Sequence, residues 1–463
     1  MKVKKGSYIK ATGLYTIGSM FNKAIALFLL PVFTRLLSKS SYGIVSTYTS
    51  WVNIVVIIVG LQLNLSLRSA CIDFKNEMNS YTHSMNVLTS IISSIVMIGA
   101  VIICSFSVKT STMLLVIFCI IQSSMTSIIN IELQKQMMEL EYIKRTILLA
   151  FPNLIAALLG IIVILLYPSV DYWGRIVSMV FVYIVIGGII LIKYASKNNG
   201  MKVVKYWKYA LTFSVPLIFH GLASVLLNNI DRTMITVYRS AEETGAYSVA
   251  YTMGMVLVAV TSALESVWIP WFTKAMNDNK KEKVNKIGSL YILLGAIICI
   301  VAIMCMPEIL KLFTEKSYWD AVDILPPIML ASYIVFLFTI CANTEYYYKK
   351  TKHIAVNTLI AAGSNIVLNL LFIPRFGAVA AAYTTLISYT VSFVLHYCYA
   401  NKLAKDILNI KLYVGPTALV IVGTVITYAT MNLPIIRWVV AIAVFLFATV
   451  MVNLKKDNLL ENI

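Results

Sequence analysis

Apolar runs of about 20 residues, separated by short polar turns, fill almost the whole chain. A helix needs about 20 apolar residues to cross the roughly 30 Å hydrocarbon core of a bilayer. The pattern predicts fourteen spans, near 10–34, 43–67, 84–106, 111–132, 146–167, 173–193, 209–231, 247–272, 288–306, 324–345, 354–373, 378–400, 411–431 and 435–454. No connector is long enough to fold by itself. The expected fold class is therefore an all-α polytopic membrane protein.

Composition agrees, with 59% hydrophobic and 13% charged residues. The net charge of +18 raises the question of a nucleic-acid partner, and the placement of the charge answers it. With Lys2, Lys4 and Lys5 on the cytoplasmic side, the inner connectors and both tails carry 27 of the 38 Lys and Arg residues. That bias is the positive-inside signature of a membrane protein with both termini in the cytoplasm. Basic clusters such as Lys197/Lys202/Lys205/Lys208 and Lys280/Lys281/Lys283/Lys286 then face anionic lipid, and no nucleic-acid partner is expected. The first span is too long and too polar on one face for a cleaved signal. The seven cysteines show no metal-ligand spacing and read as small core residues.

The connector from Lys193 to Lys208 reads as a joint between two six-span halves. Gly43-Ile44-Val45-Ser46 opens span 2, and Gly245-Ala246-Tyr247-Ser248 opens span 8 at an offset of 202 positions. That echo lays span 1 over span 7 and implies parallel halves related by an axis along the membrane normal. The expected division is 1–193, 209–400 and an added helix pair at 411–454.

Polar residues inside a span need a partner or a hydrated cavity. In span 1, Thr12, Tyr15, Thr16, Ser19, Asn22 and Lys23 share one helical face. Helix packing accounts for the small hydroxyls but not for Lys23, since a lysine near mid-membrane costs roughly 2.5–3.5 kcal/mol. Span 7 repeats the stripe with His220, Ser224, Asn228 and Asp231, followed by Arg232. Asp231 and Arg232 have two readings, as members of a polar site or as an interfacial cap. Thr358, Asn365 and Asn369 on span 11 read as structural. Arg68 ends span 2 at the inner side, where it either snorkels or meets a substrate. Glu132, Glu265 and Glu345 fall near inner ends of spans and read as interfacial residues paired with Lys or Arg. Glu265 is the strongest of the acidic residues for ion coupling, with Asp231 and Glu345 behind it, because Trp268, Pro270 and Trp271 place the interface further along.

Signals for catalysis are missing. The chain has no Gly-rich phosphate loop, no Gly-x-Ser-x-Gly elbow and no His-Glu-x-x-His helix. No catalytic residue, cofactor or metal is expected.

Three stretches resemble the Wzx-type polysaccharide flippases of the multidrug/oligosaccharidyl-lipid/polysaccharide (MOP) exporter superfamily. The first is Leu30-Pro31-Val32-Phe33-Thr34-Arg35-Leu36-Leu37-Ser38 with Tyr42-Gly43. The second is Asn229-Ile230-Asp231-Arg232-Thr233-Met234-Ile235 with Gly245-Ala246-Tyr247-Ser248. The third runs from Asn365 through Asn369 to Ile373-Pro374-Arg375-Phe376-Gly377 and Ala380-Ala381-Ala382-Tyr383-Thr384-Thr385. The resemblance spans nearly the whole chain. It implies a MATE-like, two-lobed alternating-access transporter of the bacterial cytoplasmic membrane, with six helices per lobe and two extra. The implied substrate is an undecaprenyl-diphosphate-linked oligosaccharide, moved from the inner to the outer leaflet for O-antigen or capsule synthesis. A polysaccharide polymerase and a chain-length regulator are the implied partners. The implied cationic cavity would draw on Lys23, Asn22, Ser19, Arg68, His220, Asn228 and Arg232, with Arg35 at the outer mouth. The drug-exporting branch carries an acidic residue deep in its first helix; here that face carries Lys23. Alternatives are a lipid II flippase, a cation-coupled drug antiporter, and, from another class, a membrane-embedded glycan polymerase or transferase.

Overall fold

The structure, a computed structural model, describes residues 25–107, 109–195 and 203–454. Ser19, Asn22 and Lys23 lie outside the described residues. The described chain is helical, and no strand occurs in it. The helices are α1 (Ile25–Leu36), α2 (Lys39–Gly60), α3 (Leu63–Asp73), α4 (Met78–Ser107), α5 (Thr110–Met138), α6 (Tyr142–Leu166) and α7 (Tyr172–Ala195). They continue with α8 (Val203–Tyr238), α9 (Ala241–Asn277), α10 (Lys281–Phe313), α11 (Leu325–Tyr347), α12 (Thr351–Leu403), α13 (Lys411–Ala429) and α14 (Pro434–Leu454).

Eleven described helices are long and apolar enough to cross a membrane. One of them, α12, is 53 residues long and carries two expected spans in sequence. The shorter apolar helices Ile25–Leu36 and Pro434–Leu446 lie at the described end of the first expected span and in the last. The expected count of fourteen is therefore approximate. The break in α12 is local: Gly377 has φ 65° and ψ −146°, a region open essentially to glycine. The Glu243 carboxylate accepts a hydrogen bond from the Ala378 N–H (3.1 Å) and pairs with Arg239 Nε (3.0 Å). It therefore caps the second arm of α12 in the manner of a helix N-cap. A side chain at 377 would collide with that carboxylate.

Two boundaries differ from the hydropathy reading. Span 2 stops at Gly60, where Leu61 and Gln62 take left-handed conformations (φ 43° and 54°) and α3 begins as a separate helix. Arg68 therefore stands on α3 and is not the end of span 2. Span 7 runs on to Tyr238, because hydrogen-bonded helix continues past its apolar window.

The chain divides into two compact units, Met1–Val237 and Tyr238–Ile463. In unit 1, α5 packs against α2, α4 and α7, and α6 packs against α7. Ser123 and Ser127, one helical turn apart on α5, donate to the Val52 and Val56 carbonyls of α2 (3.2 and 3.1 Å). Gly187 lets α7 approach Met125 of α5. Small residues and hydroxyls at contacts are how helices associate in lipid, where the hydrophobic effect gives no drive between them. Tyr48, Val52, Cys119, Ala156, Ile176, Met179 and Val180 fill the centre.

Glu132 is buried with a full set of partners, Lys193 Nζ at 2.7 Å, the Tyr194 hydroxyl at 2.6 Å and Gln136 Nε2 at 3.2 Å. Lys135 donates to Tyr194 (2.9 Å) and Asn79 (2.6 Å), which ties α4, α5 and α7 at one end. In unit 2, α11 is the most enclosed helix, held by α9, α10 and both arms of α12. Both α13 and α14 pack on α10. Arg437 of α14 is fully buried and pairs with Glu308 of α10, while Trp438 Nε1 donates to the other Glu308 oxygen (3.2 Å).

Candidate functional site

The polar stripe of span 7 lies on α8 in unit 1. Asp231 is completely buried and sits two turns before the end of α8. Asp231 is therefore not at the terminus of the helix itself. Arg232 is half-buried, and its Nη1 donates to the Asn228 carbonyl (3.0 Å). Asn228 in turn donates to the Ser224 carbonyl (2.7 Å). The four-residue spacing that marked this face is thus partly spent on the helix's own backbone. His220 is half-buried, and its Nδ1 is buried without a hydrogen-bond partner.

Across from this stripe runs α2, antiparallel to α8. Thr47 Oγ1 meets Thr236 Oγ1 at 2.7 Å, and Asn53 Nδ2 donates to Asn229 Oδ1 at 3.2 Å. The Gln62 side chain lies against Gly221, where a Cβ would not fit. These contacts form a polar seam in an apolar unit. Thr47, Asn53, Gln62 and Asn229 had no weight in the sequence reading as site residues; their shared register becomes visible only once α2 and α8 are paired.

The other end of α8 is joined to the end of α3, the turn after it and the start of α4. Tyr206 donates to Glu77 and Tyr209 to Asp73, while Trp207 Nε1 donates to the Ser84 carbonyl (3.0 Å). Phe74 and Tyr81 stack at 5.5 Å, and Tyr206 meets both rings edge-on. Arg68 is exposed on α3 nearby in sequence. Arg35 is exposed and donates to the Pro31 carbonyl of its own helix (2.8 Å).

Arg175 escaped the sequence reading. Its guanidinium lies over the Phe33 ring at 4.6 Å, its stem covers Gly160, and its Nη1 is buried without a hydrogen bond.

The other acidic candidates lie in unit 2. Glu265 is half-buried on α9, close enough to act electrostatically on the Tyr291 hydroxyl of α10. Glu345 does not pair with Lys or Arg, contrary to the sequence expectation. It is fully buried and bonds His396 Nδ1 at 2.7 Å, because the second arm of α12 brings an imidazole to it before any lysine can reach. Asn365 and Asn369 bond each other (3.1 Å), and Asn369 accepts from Thr384, so this stripe joins the two arms of α12. The seven cysteines are free, and no group of metal-ligating side chains occurs among the described residues.

Helix order, the long apolar helices and the buried polar faces define a multi-pass α-helical membrane protein. The structure is similar to that of the lipid II flippase MurJ in an inward-closed conformation, with TM-score 0.72 and 16% identity, covering 96% of this chain and 99% of that one. It is also similar to an inward-facing multidrug resistance MATE family transporter, with TM-score 0.57 and 12% identity over 84% of this chain and 95% of that one. At such identities the likeness establishes the fold.

The polysaccharide biosynthesis protein family matches residues 8–276, more than half the chain, and the chain belongs to that family. The MatE family matches residues 216–371. Lsg locus putative protein 1 of Haemophilus influenzae is 23% identical over 82% of this chain and 96% of its own length. The probable low-salt glycan biosynthesis flippase Agl15 of Haloferax volcanii is 21% identical over 46% of this chain and 44% of its own.

Proposed function

We propose that the chain is a flippase for undecaprenyl-diphosphate-linked oligosaccharide repeat units. It moves them from the inner to the outer leaflet of a bacterial cytoplasmic membrane by alternating access, for surface polysaccharide synthesis. The observation that carries this reading is membership of the polysaccharide biosynthesis protein family, joined to a buried polar face on α8 inside an apolar unit. A glycan-flippase relative and a lipid II flippase of the same fold support it. The pseudo-symmetric halves at 1–193 and 209–400, with 411–454 appended, belong to this proposal, as do cytoplasmic termini.

A diphosphate sugar cannot cross hydrocarbon unaided, so the protein must offer the head group a polar path while the polyprenyl tail stays in lipid. Lys23, with Asn22 and Ser19 on the same face of span 1, and Arg232 with Asn228 and His220 on α8 supply cations and donors for that path. Arginine meets phosphate oxygens bidentately and lysine meets them as a point charge. Arg68 receives the head group at the inner mouth, and Arg35 marks the outer one. An inside-negative potential of ~100 mV favours outward movement of each negative charge by ~2.3 kcal/mol, so a doubly charged head group gains ~4–5 kcal/mol. Asp231 and Glu265 are the proposed sites of any coupling cation.

The likeness to MurJ favours lipid II as the second substrate reading. Deletion in the native host separates the two. The proposal expects loss of surface polysaccharide, accumulation of its lipid-linked precursor and normal growth of the wall. Lysis on depletion with intact surface polysaccharide would transfer the chain to lipid II.

A further inference from the structure

We propose that Glu345 and His396 form a binding site for a single proton in unit 2, which exchanges only when the basic-connector end of α11 becomes hydrated. Glu345 stands in the last turns of α11, and His396 comes from the second arm of α12. Glu345 Oε1 lies 2.7 Å from His396 Nδ1, and neither side chain has appreciable exposure. Glu345 Oε2 is buried without any hydrogen bond. From the first arm of α12, Asn357 Nδ2 reaches to 3.4 Å of the same Nδ1. Phe338 of α11 stacks on the imidazole at 5.5 Å and 16°.

The surroundings isolate the pair. No lysine, arginine or further carboxylate from α9, α10, α12 or α13 bonds either member among the described residues. The titratable groups around it are the Cys341 thiol of α11, which meets the Tyr413 hydroxyl of α13 at 3.5 Å, and the Cys398 thiol of α12. One turn beyond, His353 stacks on Tyr399 at 3.8 Å.

This geometry holds one proton. With a single proton the pair is neutral overall, whether as carboxylate with imidazolium or as carboxylic acid with imidazole, and either form fills the 2.7 Å contact with an N–H or O–H. Removing that proton leaves a buried carboxylate beside a neutral imidazole, a net negative charge. Adding a second leaves a buried cation. Either change strands an uncompensated charge, which is costly in a dry interior. Hydration removes the penalty, and Oε2 is the acceptor with capacity to spare when water arrives. Proton affinity is therefore tied to whether α11 and the two arms of α12 are packed or wetted at this end. Such a tie between site occupancy and conformation is what coupling requires. This inference rests on the transport reading for its purpose but not for its chemistry.

The test uses the full chain in nanodiscs with nitrogen-labelled histidine. The chain has four histidines, so each imidazole signal is assignable by substitution. The His396 signal is expected to report a proton shared with the Glu345 carboxyl, and Glu345→Gln should convert it to that of an imidazole without a carboxylate partner. A His396 signal unchanged by Glu345→Gln would overturn the proposal. The second arm measures flipping of an undecaprenyl-diphosphate-linked glycan in proteoliposomes. The rate should vary about fivefold or more between about pH 6 and about pH 8 in the wild type, and less than about twofold in E345Q/H396Q, whose uncharged side chains strand no ion. A double variant with the wild-type pH profile would overturn the coupling. Should it not fold, His396→Asn alone serves by the same criterion. Absence of flipping by the wild type would refute the flippase reading and leave the imidazole signal to judge the proton site.

Discussion

Breaking the Glu308–Arg437 pair should be asymmetric. Arg437 has no exposure, whereas the Glu308 side chain is 26% exposed and keeps a hydrogen bond from Trp438. Glu308→Ala therefore strands a guanidinium in a dry contact between α10 and α14, left with the Thr430 carbonyl (2.9 Å) for one of its nitrogens. Removing one partner of a buried pair costs about 3–5 kcal/mol. Arg437→Leu removes the buried charge itself and leaves a carboxylate that can hydrate, so it should cost about 1–3 kcal/mol, the range for one unsatisfied polar group. The double variant should cost clearly less than the two singles added, since the stranded ion is gone. Detergent-solubilised full-length protein, unfolded by SDS titration or heat, gives all four corners of the cycle. Equal or greater loss in Arg437→Leu, or strict additivity, would refute the claim that this ion pair anchors α14 through its burial.

Three further outcomes follow from the same structure. Gly377→Ala forces a side chain into a conformation costing about 1–3 kcal/mol and displaces the Glu243 cap, worth about 0.5–2 kcal/mol; an unchanged melting temperature would count against the strain. Gly187→Leu should separate α5 from α7 at Met125 and cost about 1–3 kcal/mol by overpacking, measured the same way. For export, Lys23→Ala should stop surface-polysaccharide display at normal protein level. Arg232→Ala should weaken it more than Arg35→Ala, because Arg232 is half-buried while Arg35 is exposed and bonds its own helix; the reverse ranking would show the head-group path misplaced.

The spans were legible because lipid imposes a length and composition on any helix that crosses it. The break between spans 11 and 12 was legible too, since Pro374 and Gly377 punctuate an otherwise continuous helix. The end of span 2 was not: Leu61 and Gln62 carry no local signal for left-handed backbone, and only the structure separates α3 from α2. Depth within a helix was also hidden. The apolar window of span 7 closes at Asp231, yet α8 continues for two turns beyond it and Asp231 is fully buried. Partners distant in sequence were the hardest to see. Glu345 and His396 lie 51 residues apart, and Glu308 and Arg437 are 129 apart. Hydropathy and local spacing say nothing about such pairs, because they depend on which helices become neighbours.

The central claim is net movement of a lipid-linked glycan by this chain alone. The direct measurement reconstitutes the purified protein in liposomes with a fluorescent undecaprenyl-diphosphate-linked oligosaccharide and follows its accessibility to a membrane-impermeant quencher. An imposed potential, negative on the inner side, should speed outward transfer, and Lys23→Ala should reduce transfer to the rate of protein-free liposomes. Wild-type protein that leaves the glycan in its starting leaflet would contradict the central claim.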